Sequence, residues 1–244
     1  MNKTVLVIGA SGGIGKQVAK DLLSEGYLVI GTYDKTPIDI PNIQTFNLDL
    51  LSDESTKAFI EKIKDIPLYG FINCAGIVLY EEGNINHDIE VWNKTIKVNL
   101  TSNFILAKYL YNSIQENGRF IMISSTDAMY GGSVTASYSV SKAGINSLTK
   151  SLSLLFKSKK ISINSIAPGW VRTPMIEDSG EDFIKQIEVI NPMSRIAQPS
   201  DISNVVKFLL KEDSGYINGQ VITVDGGYTN QDPTLLIEEK LITT

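Results

Sequence analysis

One cysteine and one histidine in 244 residues remove several kinds of chemistry at once. Cys74 has no partner for an internal disulfide, and Cys74 with His87 cannot make a metal cluster of ordinary spacing, so no metal ligand is assigned. A histidine-based triad is excluded on the same count. His87, in the polar run Gly83-Asn84-Ile85-Asn86-His87-Asp88, reads as a solvated loop or helix-start residue. There is no basic surplus either. The net charge is −5, the isoelectric point is near 5.0 and the lysines are scattered, which leaves no surface for a phosphate backbone and implies no nucleic-acid partner. No apolar run is as long as a membrane span, and residues 4–10 are too short for a signal peptide before they meet glycines. The expectation is a cytoplasmic protein without membrane contact, and without linker, repeat or low-complexity tract.

What the chain does have is 43% hydrophobic and 20% charged residues, enough for one large core and a single domain over residues 1–244. Residues 4–8 read as a buried strand and 14–24 as an amphipathic helix closed by Gly26. Strands at 28–32 and 43–46 follow, with the Pro37/Pro41 loop between them and little room for a helix. Ser52-Asp53-Glu54-Ser55 offers an N-cap and early acids for a helix running to Lys64. Then come a strand at 70–73, a long helix at 90–116, a strand at 119–124, a helix at 137–157 and a strand at 161–166. Past Pro168-Gly169 the pattern loosens, with helices at 181–190 and 201–210 and a last strand at 220–224. The tail 232–244 either packs on a neighbouring subunit or frays. Apolar strands alternating with helices predict an α/β, doubly wound parallel sheet of about seven strands with helices on both faces, a Rossmann fold.

Gly9-Ala10-Ser11-Gly12-Gly13-Ile14-Gly15 lies between the first strand and the first helix. Glycines there let the backbone turn sharply and let a pyrophosphate approach the helix N-terminus, so Gly9, Ser11, Gly13, Ile14 and Gly15 are read as dinucleotide contacts. In Thr32-Tyr33-Asp34-Lys35, at the end of the second strand, Asp34 stands about where a carboxylate meets an adenosine ribose. A carboxylate accepts from a free ribose hydroxyl and repels a phosphate on it, which favours NAD. NADP is the alternative, because Lys35 could cradle that phosphate; Asp34 as a plain loop-starting acid also stays open. Asn47-Leu48-Asp49-Leu50 and Asn73-Cys74-Ala75-Gly76 close two further strands at the same carboxyl edge, where small residues allow close approach of a cofactor. Cys74 reads there as a small filler and not as a nucleophile, since no base accompanies it.

Tyr138 and Lys142 stand four residues apart, with Ser125 thirteen residues upstream. On a helix an i,i+4 pair shares a face, so an ammonium comes within reach of a phenol, and a phenol beside a fixed cation can trade protons. The expectation is a tyrosine whose pKa is depressed by Lys142 and by a cationic cofactor ring.

With the glycine loop, Asn73-Cys74-Ala75-Gly76, Asn99, Ser125, Tyr138-x-x-x-Lys142 and Pro168-Gly169 in order, the chain resembles the short-chain dehydrogenase/reductase family over roughly residues 4–228. The resemblance implies that Tyr138 is the acid/base exchanging a proton with the substrate oxygen and that Ser125 positions that oxygen. Lys142 would lower the Tyr138 pKa and bind the nicotinamide ribose, and Asn99 would hold a water that relays protons from Lys142 to solvent. Pro168, Gly169, Val171 and Thr173 would line the nicotinamide side, Asp49 and Leu50 would flank the adenine, and Asn73, Ala75 and Gly76 would floor the cofactor. Ser125 as a strand-end cap, Asn99 as a helix-interior polar residue and Lys142 as a surface charge are the plainer alternatives. Two positions depart from the family pattern. Ile8 stands where the glycine motif commonly begins with Thr, and Tyr33 stands where many NAD-using members carry their acid.

The implied activity is reversible hydride transfer between a nicotinamide and a small-molecule secondary alcohol or ketone. The rivals are an NADPH-dependent reductase of the 3-oxoacyl carrier-protein kind and a non-catalytic dinucleotide sensor or scaffold. Residues 174–193, mixing acids with apolar residues, read as a substrate lid. The end of the second strand and the shortened third unit also resemble dihydrodiol dehydrogenases. The helices at 90–116 and 137–157 carry more apolar positions than one sheet face covers, which implies a homo-oligomer, a tetramer or a dimer.

Overall fold

Successive residues of a strand face opposite ways, and the first strand shows what that demands. In β1 (Thr4–Ile8), Leu6 and Ile8 join a buried cluster with Phe71 and Phe120, while Val5 and Val7 join another with Val18, Leu22 and Val206. A strand apolar on both faces needs a helical layer on each. The computed structural model describes residues 3–231 apart from 84, 87 and 178; the expectations for His87 and for the tail 232–244 lie outside the described residues.

β2 (Leu28–Tyr33), β3 (Gln44–Asn47), β4 (Leu68–Asn73), β5 (Ile114–Ile123), β6 (Ser162–Pro168) and β7 (Val221–Val224) join β1 in one parallel sheet. Their order is β3-β2-β1-β4-β5-β6-β7. As the sequence predicts, no helix separates β2 from β3. α1 (Gly13–Ser24) covers the Val5/Val7 face; α2 (Asp53–Ile63) covers the other, started by Ser52 Oγ accepting from Ser55 N at 3.1 Å. α3 (Ile89–Ile96) and α4 (Ser102–Leu110) flank a π-helical turn at Lys97–Thr101, and α5 (Ala136–Leu155) is the longest helix. α6 (Pro174–Glu177) and α7 (Glu181–Ile190) leave the sheet and build a small cluster of their own around Ile176, Ile184, Ile187 and Ile196, with Trp170 edge-on to Phe183 at 5.2 Å. α8 (Pro199–Leu210) returns to pack beside α1. Among the described residues no helix is long and apolar enough to cross a membrane.

The single long helix expected over 90–116 is not there. It is interrupted at the π turn and ends at Leu110, and Ile114 already pairs with Leu68 as strand. Contacts from Lys159 account for the early end, and the backbone at Asn117 bars any continuation. Lys159 Nζ reaches the carbonyls of Tyr111 at 2.8 Å, Asn112 at 3.2 Å and Ile114, taking acceptors that a continuing helix would use. Asn117 then adopts a left-handed φ of 59° before Gly118, which no helix accommodates.

Strand order runs outward in opposite directions from β1 and β4. The carboxyl ends of those two strands therefore border a crevice, the place where an open α/β sheet takes ligands.

Candidate active site

The turn from β1 into α1 forms one wall of the crevice. Gly9 has φ +77° and a Cβ there would lie 3.0 Å from the Ala75 backbone; a Cβ on Gly15 would lie 2.1 Å from the Gly9 carbonyl oxygen. Backbone thus packs on backbone with no room for a side chain. Gly13, at φ +52°, faces Thr173, whose Cγ2 would lie 3.4 Å from a Cβ built there, in ordinary contact, which brings the glycine loop against the segment after β6. Ser11 and Ile14 lie in the same turn. The start of α1 has no side-chain cap and no acid in its first turn, so its orphan N–H groups present positive charge without a protein anion to neutralise it. The cradle and the uncapped helix end fit the diphosphate of a dinucleotide.

The turn is braced by a residue the sequence reading passed over. Gly9 N donates to Thr32 Oγ1 at 3.1 Å, and Thr32, 2% exposed, also accepts Ala10 N on its backbone oxygen at 2.8 Å. With Ile8 in place of the family's usual Thr, the hydroxyl comes from the neighbouring strand; the signal was a lone Thr inside an apolar strand. Asp34 is exposed just beyond β2, its backbone carbonyl held by Asn47 Nδ2. Asp49 Oδ1 accepts from Leu51 N at 2.8 Å, and the Leu50 side chain is buried in the cluster of Phe59, so Leu50 offers a cofactor its backbone only. Asn73 is likewise committed, accepting from Ala75 N at 3.0 Å and donating to Asn103 at 2.9 Å, so it shapes the turn that presents Ala75 and Gly76.

Ser125 at the end of β5 and Tyr138 and Lys142 on α5 converge on the opposite wall. Lys142 Nζ lies 5.5 Å from the Tyr138 ring centre and donates to the Ile123 carbonyl at 2.8 Å. Ser125 lies near enough to Tyr138 to lower its pKa and accepts from Asp127 N at 3.1 Å. A Cβ at Gly76 would lie 3.4 Å from Lys142 Nζ and 3.5 Å from Asn99 Oδ1, so both polar groups border this glycine. Asn99 sits in the π turn, fully buried, accepting from Ile77 N at 2.8 Å and donating to Ile77 O at 2.9 Å and Ser141 Oγ at 3.1 Å. Of the plainer alternatives, the surface-charge reading of Lys142 fails: it is 3% exposed.

The electrostatics differ from expectation in sign. Burial pushes the Tyr138 pKa up to about 12; the Ser125 hydrogen bond pulls it back and the Asp127 carboxylate pushes it further up. Burial also brings Lys142 down to about 8, against the opposing pull of Cys74 and Asp127. In the chain by itself desolvation by burial dominates, so the neighbouring Lys142 does not make Tyr138 acidic. Asp127 is the second residue that sequence reasoning missed. Its own carboxyl is raised by burial and lowered by Lys142, placing it within electrostatic reach of the pair. Burial raises the Cys74 thiol to about 12, which suits a filler.

On the third side, Pro168 closes β6, Gly169 packs against Asp225 too closely for a Cβ, Val171 bridges to Ala197, and Thr173 meets the glycine loop. A cleft of about 560 Å³ opens beside them, bounded by residues 76–80, by Met175 of α6 and by Ser179. Among the described residues no group of three His, Cys, Asp or Glu side chains is placed to hold a metal ion.

A family model described as enoyl-(acyl carrier protein) reductase matches residues 9–229. An acetoacetyl-CoA reductase of Acinetobacter is 32% identical, covering 92% of this chain and 97% of its own length. The crystal structure of a short-chain dehydrogenase family protein from Francisella tularensis superposes with a TM-score of 0.88 at 29% identity, covering 95% of this chain and all of the other. ElxO with NADP bound superposes with a TM-score of 0.85 at 32% identity, over 95% of this chain and 100% of that one.

Proposed function

The chain belongs to the short-chain dehydrogenase/reductase family, and on that premise we propose that Tyr138, Ser125, Lys142 and Asn99 form its reaction centre, with NAD as the preferred cofactor. It is an oxidoreductase of CH–OH and C=O groups that uses NAD or NADP. Bound nicotinamide supplies or accepts the hydride. The observation that carries the assignment is the convergence of Ser125, Tyr138 and Lys142 on the crevice facing the glycine loop.

In reduction the Tyr138 hydroxyl donates its proton to the developing alkoxide; in oxidation the same oxygen takes it back. Ser125, its hydroxyl oriented by Asp127 N–H and lying beside Tyr138, holds the substrate oxygen within reach of the phenol. Lys142 would hold the ribose hydroxyls and supply positive charge beside the phenol, while Asn99, which borders Gly76 as Lys142 does, would hold the water that relays protons from the ammonium. Pro168, Gly169, Val171 and Thr173 hold the nicotinamide side, and residues 174–193 act as the lid over the substrate.

Asp34 at the rim of β2 is what favours NAD, through its charge. A second reading, reduction of 3-oxoacyl thioesters with NADPH, is supported by the similarity to an acetoacetyl-CoA reductase and to an NADP-bound structure. The protein is further assigned to the cytoplasm as a homo-oligomer, a tetramer or a dimer; exposed Phe104 and Tyr109 on α4 and Val140, Leu154 and Leu155 on α5 support the assembly.

The test is a panel of alcohols and ketones, acetoacetyl-CoA included, followed by reduced-nicotinamide absorbance with each cofactor separately. Tyr138→Phe should bind cofactor nearly as wild type and lose turnover; retained turnover removes the mechanism. Asp34→Ala should narrow the preference for NADH over NADPH, and tighter NADPH than NADH binding by wild type refutes the NAD assignment.

A further inference from the structure

The catalytic helix begins in an unusual way. An α-helix leaves its first N–H groups without intrahelical partners, and a Ser or Thr side chain commonly serves them. Thr135 stands at the N-cap of α5, yet its hydroxyl makes no capping bond. The cap comes from elsewhere in the chain. Glu81, 55 residues upstream of Ala136 and 6% exposed, accepts from Ala136 N through Oε2 at 2.7 Å and from Ser137 N through Oε1 at 2.9 Å. Its own backbone N donates to Val134 O at 2.9 Å, so the loop after β4 is tied to the approach to α5 at three points.

These bonds sit one and two residues before Tyr138. The loop they anchor is the one whose residues 76–80 bound the cleft and whose Gly76 borders both Asn99 and Lys142. A carboxylate with both oxygens on helix-start N–H groups makes charge-assisted bonds in a water-poor setting, and it opposes the positive end of the helix dipole. We infer that Glu81 is a positioning residue for the reaction: it locks the first turn of α5, and with it the Tyr138 hydroxyl, to the wall against which substrate lies. This rests on the reading of Tyr138 and Lys142 as the reacting pair. Cofactor binding, which depends on the distant glycine loop, is not its task.

The experiment compares Glu81→Gln, which keeps the shape and one oxygen, with Glu81→Ala, using the alcohol or ketone that wild type turns over fastest in the panel. Turnover per folded protein should fall by about 10-fold in Glu81→Gln and about 100-fold in Glu81→Ala, as displacement of a reacting group by about an ångström does. NADH affinity, read by fluorescence, should stay within about a factor of three. Amide exchange at Ala136 and Ser137 should accelerate in both variants while α1 keeps its protection. Turnover within about twofold of wild type in folded Glu81→Ala, or unchanged exchange at those two amides, overturns the inference. Full turnover in Tyr138→Phe instead sinks the underlying reading, and the exchange result then still stands or falls for Glu81 on its own.

Discussion

Lys142 Nζ lies 5.5 Å from the centre of the Tyr138 ring but gives its hydrogen bond to the Ile123 carbonyl, 2.8 Å away. Burial has moved the two groups past each other: Tyr138 stands at about 12 and Lys142 at about 8. As pH rises in the cofactor-free chain, the first proton to leave this pair therefore leaves the lysine. On the proposed mechanism the further positive charge that an acidic phenol needs would come from the bound cofactor ring.

A buried ammonium held below its ordinary 10.5 weakens the fold wherever it is charged in the folded chain. The unfolded chain binds the extra proton between about pH 8 and 10.5, so this contribution to stability rises with pH across that window. Below it the full cost applies, on the order of 3 kcal/mol. Lys142→Met should therefore be more stable than wild type at pH 7 by about 1–2 kcal/mol, the rest being lost with the Ile123 hydrogen bond. Urea unfolding should show the gap closing as pH approaches 10.5, and a variant less stable than wild type at neutral pH contradicts the argument.

Asp127 pushes the Tyr138 pKa upward and stabilises the charged form of Lys142. Asp127→Asn removes a negative charge and so favours phenolate. In alcohol oxidation, where on the proposed mechanism Tyr138 accepts a proton, the ascending limb of the pH–rate profile should move to lower pH. A limb that stays in place or moves to higher pH would show that Asp127 does not act on Tyr138 through its charge.

Much of this architecture is legible in sequence because strands buried on both faces are written as short apolar runs, and residues 4–8, 28–32 and 161–166 are of that kind. The Ser125, Tyr138 and Lys142 spacing is legible for a similar reason, since helix geometry converts i,i+4 into a shared face. The break at Lys97–Thr101 is not. Lys-Val-Asn-Leu-Thr contains no glycine or proline, and the π turn coincides with contacts from Asn99 to Ile77 and Ser141, the latter 42 residues away. The end of α4 at Leu110 is hidden in the same way, because its cap is Lys159, and helix periodicity continues past it through Ile114. The direction of the Tyr138 shift also escapes the sequence: it depends on depth of burial, which only packing decides.

Gly12 and Gly15, on either side of Gly13 and Ile14, should respond unequally to a methyl group. Gly12 has an extended backbone, φ −154°, and nothing lies within 4 Å of a Cβ placed there, so Gly12→Ala should alter stability by less than about 1 kcal/mol. Gly15→Ala gains helix propensity of about 0.5–1 kcal/mol. Against that, its Cβ would lie 2.1 Å from the Gly9 carbonyl oxygen, a backbone atom in a turn that has no slack. Overpacking wins, and thermal unfolding should report a net loss of about 2–4 kcal/mol for Gly15→Ala. Similar melting of the two variants would mean that the turn can open to admit a side chain.

Thr32→Val separates the hydroxyl from the volume it occupies. Valine fits the same buried space in β2 and suits a strand, so packing changes little. What disappears is the acceptor for Gly9 N, held at 3.1 Å, which leaves a backbone N–H unsatisfied in the turn where the dinucleotide diphosphate would sit. An orphaned donor of that kind costs about 1–3 kcal/mol. The variant should therefore lose stability by that amount, seen as earlier melting, and bind NADH more weakly, because Gly9 loses the bond that fixes its φ of +77°. Thr32→Ser keeps the hydroxyl and should restore cofactor affinity even though it forfeits a methyl contact. If Thr32→Val matches wild type in both melting and cofactor binding while Thr32→Ser does not, the side chain serves the core and the brace has no role.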